Sequence, residues 1–264
     1  MYRLYLMQNI CSFNITILFI KEVIPINLQP TNFSLELTTM WSFPDRGSWA
    51  THSGNYRGNW TPFVPRNLIL RYSKPDEWVL DQFLGSGTTL VEAKLLGRNA
   101  IGIDINEKSI LISKGNLNFD CDLNNKIIVK YGDARRLCLK DESIDLICTH
   151  PPYADIIKYS VNNKDDISLL DFSLFIAEMK KVAEESYRVL KPGKICAIMM
   201  GDIRKNGNIV PLGFFVMDSF FKAGFKSKEI IIKEQHNCKS SKYWNKQYYS
   251  FLLLAHEYIF VFEK

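Results

Sequence analysis

Trp78-Val79-Leu80-Asp81-Gln82-Phe83-Leu84-Gly85-Ser86-Gly87-Thr88-Thr89 decides how the rest of the chain is read. Its first six residues form a short buried strand, and a glycine turn follows at once. After the turn, Leu90, Ala93, Leu95 and Leu96 recur at helical spacing. Glycine lets the backbone turn sharply and come close to a ligand, while the first N–H groups of the helix point into the same space. The next apolar run, Asn99-Ala100-Ile101-Gly102-Ile103-Asp104, ends in a carboxylate about twenty residues past the turn. That is where a mononucleotide-binding βαβ unit puts the acid that grips ribose hydroxyls. A Gly-x-Gly pair alone is often only a tight turn; strand, acid, glycines, helix, strand and acid in order say more. No third nearby glycine and no Gly-Lys-Ser/Thr follow, which argues against a dinucleotide or a nucleoside triphosphate. Asp133, after the strand of residues 126–130, stands at the same sheet edge and can accept from an adenine amine. The set suits a ribose-plus-adenine ligand that carries a sulfonium.

A second motif, His150-Pro151-Pro152-Tyr153, ends the apolar run Ile144-Asp145-Leu146-Ile147-Cys148-Thr149. Each proline lacks an N–H and fixes φ, and Pro152 keeps Pro151 out of the α region. The chain must leave the strand as a rigid, extended turn. Two readings stand for it: a grip on a planar group such as a nucleobase, or a strand exit capped by a tyrosine.

Together these residues resemble the amino-methylating DNA methyltransferases. Asp81 to Thr89 looks like that family's cofactor motif D-P-F-x-G-S-G-T-T, with Gln82 in place of the proline, and His150 to Tyr153 looks like its catalytic motif [D/N/S]-P-P-[Y/F/W]. The segment Phe63-Val64-Pro65-Arg66-Asn67-Leu68-Ile69 resembles the helix that closes one side of the cofactor pocket. The likeness spans about Trp41 to Tyr159, with a fainter trace in His256-Glu257-Tyr258-Ile259-Phe260-Val261-Phe262. It implies S-adenosylmethionine as cofactor, held by Asp81, Phe83, Gly85, Ser86, Gly87, Thr88, Thr89, Asp104, Ile105, Asp133, Ala134 and Asn67. It further implies a catalytic set of His150, Pro151, Pro152 and Tyr153, with double-stranded DNA as partner and the target base flipped out onto Tyr153. The departure is His150, where the family has Asp, Asn or Ser. A neutral imidazole can accept a hydrogen bond from an amine, and a protonated one cannot. The Thr149 context and Tyr153-Ala154-Asp155 look like the branch that methylates N4 of cytosine. N6 of adenine, an RNA base, and a relict protein that binds without methylating stand as alternatives. Methylation at carbon five is set aside, because the chain has no Pro-Cys pair.

With 264 residues, 47% of them hydrophobic, the chain can bury one sizeable core. The fold expected is α/β: a single-domain class I methyltransferase with a seven-stranded, mostly parallel sheet, helices on both faces and an antiparallel last strand. Residues 1–40 form an amino-terminal extension, read as a strand or hairpin packed on the catalytic domain of residues 41–264 or on a second subunit, which would make a homodimer. Its apolar stretch, residues 10–20, is too short for a membrane span, and its flanks lack a cleavage site. The net charge of +5 is mild and does not by itself establish a nucleic-acid partner. Lysines interleaved with Tyr243, Trp244, Tyr248 and Tyr249 make residues 235–249 either a DNA-contacting loop or a solvated loop with anchoring aromatics. Six scattered cysteines and four scattered histidines fit free thiols in a cytoplasmic protein, with no metal site. The resemblance implies a place in a restriction-modification system, with a cognate endonuclease as partner.

Residues 44–59, with Arg46 and Arg57, read as a mobile loop near the active site; the arginines either reach phosphate or lie solvated. Leu169, Phe172, Phe175, Ile176, Met179, Val182 and Ala183 form a helical stripe assigned to the core. Lys191-Pro192-Gly193 reads as a turn into a strand over residues 195–200, and Ala223-Gly224 ends a helix over residues 214–221.

Overall fold

A computed structural model describes residues 27–157, 159–160, 163–236 and 251–264. Ten strands and five α-helices alternate along them: β1 (Met40–Trp41), α1 (Phe63–Tyr72), β2 (Trp78–Asp81), α2 (Thr88–Leu95), β3 (Asn99–Asp104), α3 (Glu107–Asn116), β4 (Ile127–Tyr131), β5 (Ile144–Thr149), α4 (Phe172–Val189), β6 (Leu190–Met200), β7 (Ile203–Lys205), β8 (Asn208–Val210), α5 (Leu212–Lys222), β9 (Lys226–Glu234) and β10 (His256–Glu263). Eight strands make one sheet in the order β1-β9-β10-β6-β5-β2-β3-β4. All its pairings are parallel except those of β10, which runs antiparallel to both β6 and β9. Seven of the strands are the expected ones. The eighth, β1, comes from the end of the amino-terminal segment and pairs Met40 with Ile232 and Trp41 with Lys233.

The helices cover both faces. Buried Val64, Leu68, Leu90, Ala93 and Ile110 from α1 to α3 pack on one, and Phe175, Met179, Val182, Val216 and Phe220 from α4 and α5 pack on the other. A sheet covered in this way needs near-continuous apolar strands, and every residue of β5 is buried. The α4 stripe narrows on folding to its inward face, with Phe172 and Ile176 only partly buried and Leu169 in a separate single turn. Asp171 caps that helix by accepting from the Leu174 N–H at 3.0 Å.

Three elements differ from expectation for local reasons. Lys191-Pro192-Gly193 lies inside β6, not before it; the register with β5 slips there and Gly193 takes φ +71, as a bulge requires. Helix α3 was not anticipated, because Ile110, Leu111 and Ile112 are consecutive and make no stripe. The β7–β8 hairpin turns on Asn206-Gly207, both at positive φ, the pair that two-residue hairpin turns favour.

Order reverses at β2: the chain runs outward through β3 and β4, then returns to β5 on the other side. Open α/β sheets bind ligands at such a switch point, beyond the carboxyl ends of the strands. Both motifs end there, on neighbouring strands that pair Val79 with Leu146 and Leu80 with Ile147.

Candidate active site

Asp81 joins the two motifs. Its carboxylate is 2% exposed and accepts from Thr89 Oγ1 at 2.5 Å, from Thr149 Oγ1 at 2.7 Å and from the Phe83 N–H at 3.1 Å. One side chain thereby ties the glycine turn, the first turn of α2 and the end of β5. Burial pushes its carboxyl up to about 6. Asp104 accepts from the N–H groups of Gly85 and Asn106, each at 2.8 Å, and burial pushes it to about 6 as well. A carboxylate has about four lone-pair sites, so Asp104 keeps acceptor capacity after both bonds.

Between these groups lies a cleft open to solvent. Of the expected cofactor residues, Asp81, Phe83, Gly85, Ser86, Thr88, Asp104, Ile105, Asp133 and Ala134 line it. Gly87 and Thr89 do not: Gly87 turns the chain at φ +84, and Thr89 bonds Asp81. Asn67, expected to hold cofactor, is also absent from the lining. Its amide donates to Phe63 O and accepts from the Glu36 N–H, so it clasps the amino-terminal segment to α1. Asp133 lines the cleft with its carboxylate already paired to Arg135, Oδ1 accepting from Nε and Oδ2 from Nη2, and Arg135 also reaches Glu178 at 2.6 Å.

A second wall was not foreseen residue by residue. Tyr56, Asn59 and Trp60 line the cleft from the loop before α1, and Tyr159 and Asp166 line it from the segment after the proline turn. Tyr56 lies against Gly85, where an added Cβ would sit 3.3 Å from its ring. Tyr56 and Tyr159 stack 6.2 Å apart. The loop expected to be mobile is pinned by a buried carboxylate. Glu92 of α2 accepts from Trp49 Nε1 at 2.7 Å and from Arg66 at 2.8 Å, and meets His52 Nε2 at 2.6 Å. Arg46 does not reach outward; it donates to the carbonyls of Asn59 and Trp60.

Gln82 supplies a test of fit. Its Nε2 donates to Ser186 Oγ at 2.8 Å, while its Oε1 is buried in the cleft wall with no partner. Buried acceptors ordinarily have donors, and an adenosyl group brings both an amine and ribose hydroxyls. Two carboxylates, an orphaned acceptor and a tight glycine turn fit a cationic adenosyl cofactor.

His150 and Pro152 face the same cleft. The imidazole stacks on Trp60, with centroids 5.6 Å apart and planes 23° from parallel. Burial holds it down to about 4, so it is neutral in ordinary buffers. Pro151 is buried behind it. Tyr153 is not placed as expected for a base platform: it is absent from the cleft lining, and its hydroxyl donates to Glu257 Oε1 at 2.8 Å. Directly after it, Ala154 holds φ +48 while fully buried, a strained conformation of a kind that clusters at functional sites.

Residues 237–249 of the expected DNA-contacting loop, and residues 1–26 of the extension, lie outside the described residues. Residues 27–41 run over α1 to the sheet edge, with Phe33 stacked on Phe63 and Ile232 N–H donating to Thr39 O. Among the described residues, no group of three or more His, Cys, Asp or Glu could hold a metal ion. No described helix is long and apolar enough to cross a membrane.

Comparison with known proteins bears on this arrangement. The chain matches the DNA methylase family over residues 20–115 and 144–264, and an RMKL-like methyltransferase domain over residues 68–197. A Type II methyltransferase of Methanothermobacter thermautotrophicus, M.MthZI, is 30% identical over 145 residues, 48% of this chain and 41% of the relative. Another, M.MjaI of Methanocaldococcus jannaschii, is 27% identical over 178 residues, 56% of this chain and 58% of the relative. A tRNA (guanine(10)-N2)-dimethyltransferase of Pyrococcus abyssi is 27% identical over 163 residues, 61% of this chain and 45% of the relative. The aligned parts thus span about half the length of these relatives. Among solved structures, a SAM-dependent methyltransferase from Methanosarcina mazei superposes with a TM-score of 0.54 at 16% identity, covering 74% of this chain and 96% of that one. That likeness shows the fold alone: class I methyltransferase.

Proposed function

The chain belongs to the DNA methylase family, and from that membership we propose that it methylates the exocyclic amine of a base in double-stranded DNA, favouring N4 of cytosine, within a restriction-modification system. S-adenosylmethionine is the cofactor of this fold and family; when bound, it supplies an electrophilic methyl on a positively charged sulfonium. The observation that carries the reading is a single cleft lined both by Asp104, with acceptor capacity to spare, and by a neutral, half-buried His150.

The chain's own residues divide the work. Asp104, Asp81, Gly85, Ser86 and Thr88 hold the cofactor, and Ile105, Asp133 and Ala134 flank its adenine. An exocyclic amine is a poor nucleophile because its lone pair is shared with the ring. By accepting a hydrogen bond from that amine, His150 raises electron density on the nitrogen and turns the lone pair toward the methyl. Pro151 and Pro152 hold the acceptor at a fixed place. Catalysis then rests on positioning and needs no covalent intermediate. The base must leave the duplex to reach the cleft. Residues 41–264 form the catalytic unit, with residues 235–249 for DNA contact, a cytoplasmic setting and a cognate endonuclease as partner.

Transfer of labelled methyl to duplex DNA, followed by digestion to nucleosides, tests this. N4-methylcytosine is the expected product. N6-methyladenine alone would move the target base, and label in tRNA but not DNA would favour the reading that the Pyrococcus relative suggests.

Asp104→Asn is expected to weaken S-adenosylmethionine binding about 10- to 100-fold, the loss of a hydrogen bond to a charged group. Titration calorimetry checks it, and an unchanged Kd would remove Asp104 from the site. The ionised carboxylate is the form that binds, so wild-type affinity should decline as pH falls through about 6. The variant should lose part of that decline, with Asp81 responsible for the remainder.

A further inference from the structure

Behind His150 stands a chain of three polar side chains that the transfer reaction does not itself require. His150 Nε2 lies 2.9 Å from the Tyr153 hydroxyl, which donates to Glu257 Oε1 at 2.8 Å, and Lys233 Nζ donates to Glu257 Oε2 at 3.1 Å. Glu257 and Lys233 are directly opposed across the antiparallel pair β9–β10, and Glu257 is 7% exposed. Burial pushes the carboxyl up, but the Lys233 ammonium, with the hydrogen bonds from Lys233 and the Tyr153 hydroxyl, outweighs it and holds the group below its usual range. It is therefore ionised, and an ionised carboxylate only accepts. Tyr153, half-buried beside that charge, has its pKa raised well above the usual value and keeps its one proton.

The proton positions follow. The phenol gives its only O–H to Glu257, so in its contact with His150 the oxygen can only accept, and the imidazole must supply an Nε2–H. A neutral imidazole carries one ring proton. With the proton on Nε2, Nδ1 is bare, while Trp60 stacked on the ring fixes its plane. We propose that Glu257 is a positioning residue for His150: acting through the Tyr153 hydroxyl, it fixes the Nε2–H tautomer and leaves Nδ1 as the acceptor that the target amine meets. The proposal rests on reading His150 as that acceptor. It also gives Tyr153 a task that needs its hydroxyl, where a base platform would need only a ring.

Nitrogen-15 NMR of the labelled full chain tests it, with His150 assigned by its loss in His150→Gln among the four histidines. Wild type should show Nε2 protonated and Nδ1 bare. Tyr153→Phe keeps the ring and the Glu257–Lys233 pair, and Glu257→Gln removes the charge. Both should release His150 into a mixture of tautomers and lower kcat by about 10²-fold, the scale of a positioned proton partner, with KM for the cofactor unchanged. Tyr153→Phe also covers the case in which Glu257→Gln fails to fold. A protonated Nδ1 in wild type would overturn the proposal, as would an unchanged tautomer and kcat in folded Tyr153→Phe. Should wild type show the expected tautomer and yet methylate no base, the relay stands and the functional reading falls.

Discussion

Replacing His150 with alanine will lower methyl transfer by about 10³-fold, within the range that positioned acid–base groups contribute, and leave S-adenosylmethionine affinity unchanged. The acids and the imidazole line one cleft, but no hydrogen bond links His150 to Asp81 or Asp104. Single-turnover transfer to duplex DNA, with calorimetry on the same preparation, separates the two effects. Loss of cofactor binding in step with transfer would contradict the division of labour. The wild-type pH profile carries a second expectation. The accepting form of His150 is the neutral one, lost only as pH falls through about 4, so any decline near pH 6 belongs to the buried carboxylates. A wild-type protein that binds cofactor and never transfers methyl would mark the site as relict.

Glu92→Ala is expected to destabilise the fold by about 3–5 kcal/mol, the usual cost of stranding one charge of a buried pair. Glu92 is fully buried, and its removal leaves Arg66, Trp49 and His52 without their shared acceptor. Arg66 would keep only its bond to Gln29 and its stacking over Phe33 and Trp49. For a chain of this size the melting temperature should drop by about 10 °C. Because the same network pins the loop that carries Tyr56, Asn59 and Trp60 into the cleft, cofactor affinity should fall too. Calorimetric melting with and without S-adenosylmethionine reads both. An unaltered melting temperature would show that the network contributes nothing to stability.

The parts of the site that were legible in the sequence share one property: each lies within a few residues of a strand end. Asp81, Gly85, Asp104, Asp133 and His150 follow apolar runs whose period and punctuation are local. Asn67 was misplaced because a helix written next to a cofactor strand can use its polar residues elsewhere; here the amide holds residue 36. Tyr56, Trp60 and Tyr159 carry no local signal, since aromatics in irregular segments show no period. Glu257 could have been singled out as a charge in an apolar closing strand, but its partners are 24 and 104 residues away.

The sequence by itself determined the fold class, the succession of most strands and helices along the chain and the glycine turn, because local patterning and backbone chemistry decide these. Only the tertiary structure decided that β10 inserts between β6 and β9. That insertion sets Glu257 against Lys233 and brings its carboxylate to the Tyr153 hydroxyl. The physical reason is distance along the chain. The tautomer of a half-buried imidazole depends on which groups surround it, and here the charged ones, Glu257 and Lys233, come from strands that meet only when the sheet closes.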